Sequence, residues 1–460
     1  MMNRLTYWIL LVVIALAPLP LGANRPWSWS LLSLIVGLLL ILWALSALRD
    51  PGRVRAAWHH HWLATCLFLL VMVWAGVQAA GWTPVGWHHP LWREAGAALG
   101  AELRGAISLE PDAGRETIMR LLAYGGVFWL ALHYCRASRR ARALFQAITF
   151  SGFVYALYGL IVAMSGNESI LWFERWAYSH SLTSTFVNRN SFATYAGLTL
   201  ISSFAILFAG ERHDIAANPF SRRGLMAMMD KFSHGGWVYG LIIAVSGAAL
   251  VLSHSRAGIA AAALGLVVFF AALAAGRRLV GKTLGLYGGI VAILAVVIIL
   301  VAGQAAEGVD RSVEREERGV LFGYSVEAIS DFPLEGSGFG AWSEIFRLYR
   351  DETLVRGYQR AHNTYLEWAS ELGLPATVLM VATLLGLGVI CFRGVRRRRH
   401  NQAYPAAGAA AGILVASHSI VDFSLQIPAV SVVFAAMLGA ACAQSRPSRE
   451  PDPYLRRMRR

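Results

Sequence analysis

Apolar runs long enough to cross a bilayer recur along the whole chain. Each would span a hydrocarbon core of roughly 30 Å as a helix of about 20 residues. Backbone in such a core must satisfy its own hydrogen bonds, which leaves helices or closed barrels, and runs this continuous are helical rather than alternating. Twelve spans fit, at 5–22, 29–48, 62–80, 118–135, 144–164, 191–209, 236–253, 257–275, 284–303, 372–392, 405–421 and 428–444. Composition agrees, since only 15% of the 460 residues are charged, against roughly 25% in a soluble protein. The chain reads as an all-α integral membrane protein. Its first run follows a single Arg4 and meets no small-x-small cleavage site before Asn24. That run is therefore read as a retained helix and not as a signal peptide. Cys66, Cys135, Cys391 and Cys442 lie in or beside apolar runs with no CxxC spacing, which argues against a disulfide framework or a zinc site.

The formal charge of +14 would suggest nucleic acid in a soluble protein. Here its distribution matters more. With both termini in the cytoplasm, the inner segments hold 26 of the 41 Lys and Arg residues and 6 of the 27 acidic ones. Every inner loop is then basic, as the positive-inside rule requires. The run Arg396 to Arg399 is a topology determinant on this reading, and no nucleic-acid partner is expected. Three outer segments are long: 81–117, 165–190 and 304–371. The chain divides into a transmembrane region of about nine spans (1–303), a long outer loop (304–371), three further spans (372–444) and a basic tail (445–460). Within the outer loop, Leu321, Phe322, Val326 and Ile329 recur at helical spacing after Arg318. The turn-rich segment 332–340 breaks that pattern. A second short helix is predicted over 341–350 and a third from near His362.

The outer face of such a membrane has no nucleotide sugar, and no DxD sequence occurs in the chain. An enzyme working there needs a substrate activated before export, for which a lipid pyrophosphate is the plausible leaving group. The segment Arg360-Ala-His-Asn-Thr-Tyr-Leu-Glu-Trp-Ala-Ser-Glu-Leu-Gly-Leu-Pro375 carries the strongest signal. An imidazole with an ordinary pKa of about 6.5 accepts a proton near neutral pH, although a histidine capping a helix would leave the same trace. Arg256, in Leu252-Ser-His-Ser-Arg-Ala-Gly258, stands at a helix start in a tight outer turn. A charge so near hydrocarbon suggests function, and a helix N-terminus favours anions; snorkelling to lipid phosphates is the alternative. Arg318 follows Glu314, Glu316 and Glu317, which could simply pair with it.

The order of these motifs resembles the O-antigen ligase and O-antigen polymerase superfamily, membrane enzymes related to C-type glycosyltransferases. Arg318 precedes Phe322, Pro333-Leu-Glu-Gly-Ser-Gly338 follows, then His362-Asn-Thr-Tyr-Leu366, then Glu371-Leu-Gly373. The resemblance covers about 316–390, and Leu374-Pro375 departs from it where many members carry an apolar residue and a second glycine. It implies a bacterial inner-membrane location, a periplasmic site and a glycosyltransferase using neither metal nor cofactor, with inversion at the anomeric carbon. The implied donor is an undecaprenyl-pyrophosphate-linked glycan. The acceptor would be a glycan, a lipid A core or another lipid-linked chain, in lipopolysaccharide or exopolysaccharide biosynthesis, or a protein side chain. His362 would be catalytic, and Arg256 and Arg318 would bind the donor pyrophosphate. Arg189, in Phe186-Val-Asn-Arg-Asn-Ser-Phe192, resembles an Asn-rich family motif and would join the two arginines at the donor pyrophosphate, positioning of its helix at the interface being the alternative; Asn363, Tyr365, Glu371 and Gly373 support the histidine segment. His180, His254 and His418 read as structural, and Trp172, Phe173 and Trp176 as an interfacial belt. A lipid-linked glycan flippase is the rival from another class. Transporters commonly show repeated halves and mid-membrane polar residues, and no repeat is visible here.

Overall fold

The computed structural model describes residues 2–48, 51–166, 169–209, 236–277, 310–352, 354, 357–398 and 400–446. Among these lie fifteen α-helices: α1 (Met2–Leu16), α2 (Pro26–Ala47), α3 (Pro51–Gln78), α4 (Leu91–Leu99), α5 (Pro111–Tyr134), α6 (Ser138–Met164), α7 (Arg189–Phe208), α8 (Trp237–Leu252), α9 (Arg256–Arg277), α10 (Asp310–Asp331), α11 (Trp342–Tyr349), α12 (Thr364–Leu372), α13 (Leu374–Arg397), α14 (Ala403–His418) and α15 (Pro428–Ala443). The only strands among the described residues form a two-residue antiparallel hairpin, Ser169–Ile170 with Phe173–Glu174.

Six of these helices, α2, α3, α6, α7, α9 and α13, are long and apolar enough to cross a membrane, and α1, α8 and α15 are shorter apolar helices. The fourth and eleventh predicted runs fall on α5 and α14, and the ninth, 284–303, lies outside the described residues. The protein is an all-α, multi-pass membrane protein. The two helix starts furthest from prediction are those of α3 at Pro51 and α5 at Pro111, both ahead of their apolar runs. Proline suits a helix start because its missing N–H would be unpaired there anyway.

α7 runs through the middle of the bundle, buried along most of its length between α6, α8, α9, α14 and α15. Its neighbour α14 is alanine-rich and fully buried over Ala403–Ala411. Small side chains let helix backbones approach where lipid supplies no hydrophobic drive. α2 is peripheral and shows Leu34, Leu38 and Ile41 to the outside, as a lipid-facing helix does.

On the outer side, α10, α11 and α12 close around a small core of Leu321, Tyr324, Trp342, Phe346, Leu354 and Ala361. Trp342 stacks on Phe346, with centroids 5.5 Å apart, and its indole N–H donates to Ser325 Oγ at 3.3 Å. The buried face of α10 is Leu321, Tyr324, Ser325 and Ala328, whereas Val326 is 51% exposed. The predicted stripe is therefore rotated: Tyr324 and Ser325 pay their way inward by hydrogen bonding, to Asp351 and to the Leu321 carbonyl respectively.

Candidate functional site

The Pro333–Gly338 turn docks backbone to backbone on the junction of α12 and α13. Leu374 N–H donates to Pro333 O at 2.8 Å, Ser337 N–H to Ser370 O at 2.9 Å and Gly338 N–H to Glu371 O at 2.9 Å. A Cβ on Gly336 would lie 2.3 Å from Glu371 O, and one on Gly373 2.1 Å from Leu334 O. Both residues also have positive φ, at 67° and 79°, so glycine is required twice over. Gly373 separates α12 from α13, and Pro375 sits in the first turn of α13, so the Leu374-Pro375 departure from the motif is accommodated. The Glu371 carboxyl is fully buried and accepts from Trp342 N–H at 3.0 Å and from the Gly340 backbone. Burial, and then the neighbouring Glu367 carboxylate, push its pKa well above the ordinary range.

The histidine segment is anchored on its other side. Asn363 caps α12 by accepting from Tyr365 N–H at 3.0 Å and Leu366 N–H at 3.1 Å. Thr364 donates through N–H to Ser419 O and through Oγ1 to Asp422 O, both at 2.9 Å. Tyr365 Oη donates to Ala416 O at 2.9 Å. These contacts pin the start of α12 to the end of α14 and the loop beyond it. His362 therefore lies just outside the helix, one residue before its cap, and not at the helix start that the sequence suggests. Its φ is 56°, a left-handed conformation that costs roughly 1–3 kcal/mol in a non-glycine residue.

The His362 ring packs edge-on against Phe423, 4.9 Å between centroids, and against Tyr358 at 6.3 Å. Nδ1 is buried with no hydrogen-bond partner. Burial pushes the imidazole well below 6.5; the Asp422 carboxylate opposes this and the Arg318 guanidinium adds to it. Arg318 and His362 are thus close enough to feel each other, across the 44 positions that separate them in the chain. Of the glutamates preceding Arg318, Glu317 instead accepts a hydrogen bond from Tyr358 Oη.

Asp422 joins this group to two distant segments. Asn190 Nδ2 donates to Asp422 Oδ1 at 3.0 Å, and Ser255 Oγ donates to Asn190 Oδ1 at 2.7 Å. Ser424 Oγ also donates to the carboxylate. Thr194 Oγ1 and His418 Nδ1 lie 2.6 Å apart beside it. Arg256 follows Ser255 as the first residue of α9, with its side chain exposed. Arg189 precedes Asn190, and its guanidinium lies 5.2 Å over the Tyr178 ring. The structure so brings His362, Arg318, Asp422, Asn190 and Ser255 into one network, with Arg256 at its rim and Arg189 seated on an aromatic face. Among the described residues, no three His, Cys, Asp or Glu side chains converge as metal ligands. The sequence reading missed Asp422. Its signal was present as a lone carboxylate between two apolar runs, a placement that is costly unless functional.

Residues 241–381 match the family model described as O-Antigen ligase. The match supports the resemblance of this stretch to the O-antigen ligase and polymerase superfamily. It runs from α8 into α13 and holds Arg256, Arg318 and His362, along with both docking glycines. Asn190 and Asp422 lie outside it. No curated protein matches the chain.

Proposed function

We propose that this protein is a glycosyltransferase of the periplasmic face of a bacterial inner membrane, both termini cytoplasmic. It joins a saccharide carried on undecaprenyl pyrophosphate to an acceptor glycan, as an O-antigen or exopolysaccharide polymerase or an O-antigen ligase. The observation that carries this reading is the network around His362: an unpartnered, neutral imidazole nitrogen beside a buried carboxylate and an arginine. Arg256 and Arg318 hold the donor pyrophosphate, since guanidinium groups stay charged and donate in a planar fork. They stabilise the charge that develops as the pyrophosphate leaves, which lets the reaction run without a metal and, with acceptor attack opposite the leaving group, with inversion. His362 accepts the acceptor hydroxyl's proton, and Asp422 stabilises the imidazolium that forms. Arg189 steadies the α7 start that presents Asn190.

Substitution of the arginines tests the donor half. Arg256→Ala and Arg318→Ala each remove charge-assisted hydrogen bonds of roughly 1.5–3 kcal/mol, so donor affinity falls along with rate in EDTA-treated enzyme. Lysine restores part of the loss, because an ammonium keeps the charge without the fork. Unchanged donor affinity in both alanine variants would remove the pyrophosphate from this site. The acceptor is read from a deletion strain: single repeat units on the core indicate a polymerase, bare core with accumulated lipid-linked glycan a ligase. Unaltered lipopolysaccharide with an unglycosylated protein would favour a protein O-oligosaccharyltransferase.

A further inference from the structure

A second cleft is lined by Leu425 and Gln426, at the other end of the 422–426 loop from Asp422, and the network described above does not use it. It is small, with a volume of about 40 Å³, and Arg120, Tyr124, Arg360, Glu371 and Gln426 line its polar part. Three buried polar atoms in it have no hydrogen-bond partner: Arg120 Nε, Tyr124 Oη and Gln426 Oε1. Such atoms are expensive to leave unpaired, and their convergence in one cleft points to a missing polar ligand.

The charges set its sign. Arg360 pairs with Glu367 at 3.1 Å, and that carboxylate is fully buried and also accepts from Ala361 N–H at 2.9 Å. Arg120 is mostly buried, packs 4.9 Å over the Trp29 ring, donates to Thr117 Oγ1 at 3.0 Å and reaches Glu116 only at 3.7 Å. Glu371 is committed to the α11 backbone, and burial favours its protonated form. The cleft therefore presents two guanidinium groups and a phenol to whatever enters.

Beside it lies an apolar groove of about 330 Å³ between α3, α5, α13 and α15. Leu121, Tyr124, Trp368 and Leu425 line both spaces, so the two adjoin. Along α5 the groove follows Leu121 to Trp129, roughly 12 Å of helix. An anion-selective head joined to a hydrocarbon channel matches a phosphate-bearing lipid. The diester of an ordinary phospholipid carries one charge, whereas two arginines and further unpaired groups suit a terminal phosphate or pyrophosphate.

We propose that this cleft and groove bind a second polyprenyl (pyro)phosphate, with the headgroup on Arg120 and Arg360 and the tail between α5 and α13. A second lipid carrier beside the donor is what chain polymerisation between two carriers requires, and this part of the inference rests on the proposed function. Native mass spectrometry of the full chain in detergent, titrated with a polyprenyl pyrophosphate, counts the bound lipids. Wild-type protein takes up two. R120Q/R360Q takes up one, and Leu384→Trp, which narrows the groove, also takes up one. Arg256→Ala/Arg318→Ala loses the other copy. Neither phosphatidylglycerol nor inorganic phosphate displaces the Arg120-dependent copy at equal concentration. Retention of both copies by R120Q/R360Q and by Leu384→Trp overturns the proposal, as does equal displacement by either competitor. If R120Q/R360Q does not fold, Leu384→Trp and the competition decide. Retention of both copies by Arg256→Ala/Arg318→Ala alone would count against the donor assignment and leave this second site standing.

Discussion

The two ends of the 422–426 loop join groups built from similar materials for different tasks. On one side Asp422 is tied to Asn190 and Ser424, and through Asn190 to Ser255. The carboxylate's position is fixed, and beside it His362 Nδ1 and His418 Nε2 are buried and unpaired. On the other side Gln426 joins Arg120 and Tyr124 with their polar atoms unspent, above an apolar groove. A hydrogen-bonded network with free imidazole nitrogens is organised to move a proton. Several free groups over hydrocarbon are organised to receive a ligand. The difference teaches that hydrogen-bond accounting separates a reaction site from a binding site where burial and charge alone do not.

The contrast depends on the turn that holds both sides in place, so the largest effect is expected there. Gly373→Ala forces a methyl to 2.1 Å from Leu334 O at a φ that disfavours side chains. It should undock the 333–338 turn and abolish stable accumulation of the protein, as seen by fluorescence-detected gel filtration of a tagged chain. Normal yield and melting temperature would show that the turn is not what aligns the two sides.

Next in size is Asp422→Asn, which touches only the reaction side. Asp422 raises the His362 pKa against burial, so its neutralisation lowers that pKa further. The imidazole must be unprotonated to act as base, so the acid limb of the pH–rate profile, already below 6.5, moves to still lower pH. The plateau rate also falls, within the roughly 10²–10⁴-fold that general-base catalysis supplies. A limb that shifts upward or stays fixed would break the link between the two residues.

Smaller effects are expected at Glu371, which borders the binding side. Glu371→Gln keeps an acceptor for the Trp342 and Gly340 N–H groups and should leave stability near wild type at neutral pH. Glu371→Ala leaves them unpaired, at roughly 1–3 kcal/mol each. The pKa of this carboxyl is raised by burial, so its contribution is complete below the unfolded value and is lost as pH rises through the folded one. Thermal melts across pH should show wild type losing stability on the alkaline side and Glu371→Gln losing less. Identical pH profiles would mean that the carboxyl is ionised throughout.

What could be read in the sequence follows from locality. The glycines of 333–338 and 371–373 were legible because each violates ordinary composition within a few residues, and their backbone docking explains the pattern. Arg256 was legible as a charge at the edge of hydrocarbon. Asp422 and Arg120 were not assigned, because their partners lie far along the chain and only the packing of α5, α7, α12 and α14 brings them together. Arg120 falls inside a predicted span and has no local motif. The face of α10 was misjudged because Val326 outranks Tyr324 and Ser325 in a reading based on hydropathy alone, whereas these two are buried through hydrogen bonds and Val326 is exposed. The family match likewise covers 241–381 and leaves out the parts of both sides contributed by α5, α7 and the 422–426 loop.

The central claim is that His362 serves the acceptor and not the donor. Its most direct test is His362→Ala, purified and shown to be monodisperse, measured for turnover and for binding of a polyprenyl-pyrophosphate-linked glycan in nanodiscs. The account predicts a rate loss of roughly 10²–10⁴-fold with donor affinity unchanged. A fully active variant, or an inactive one that no longer binds donor, would contradict it.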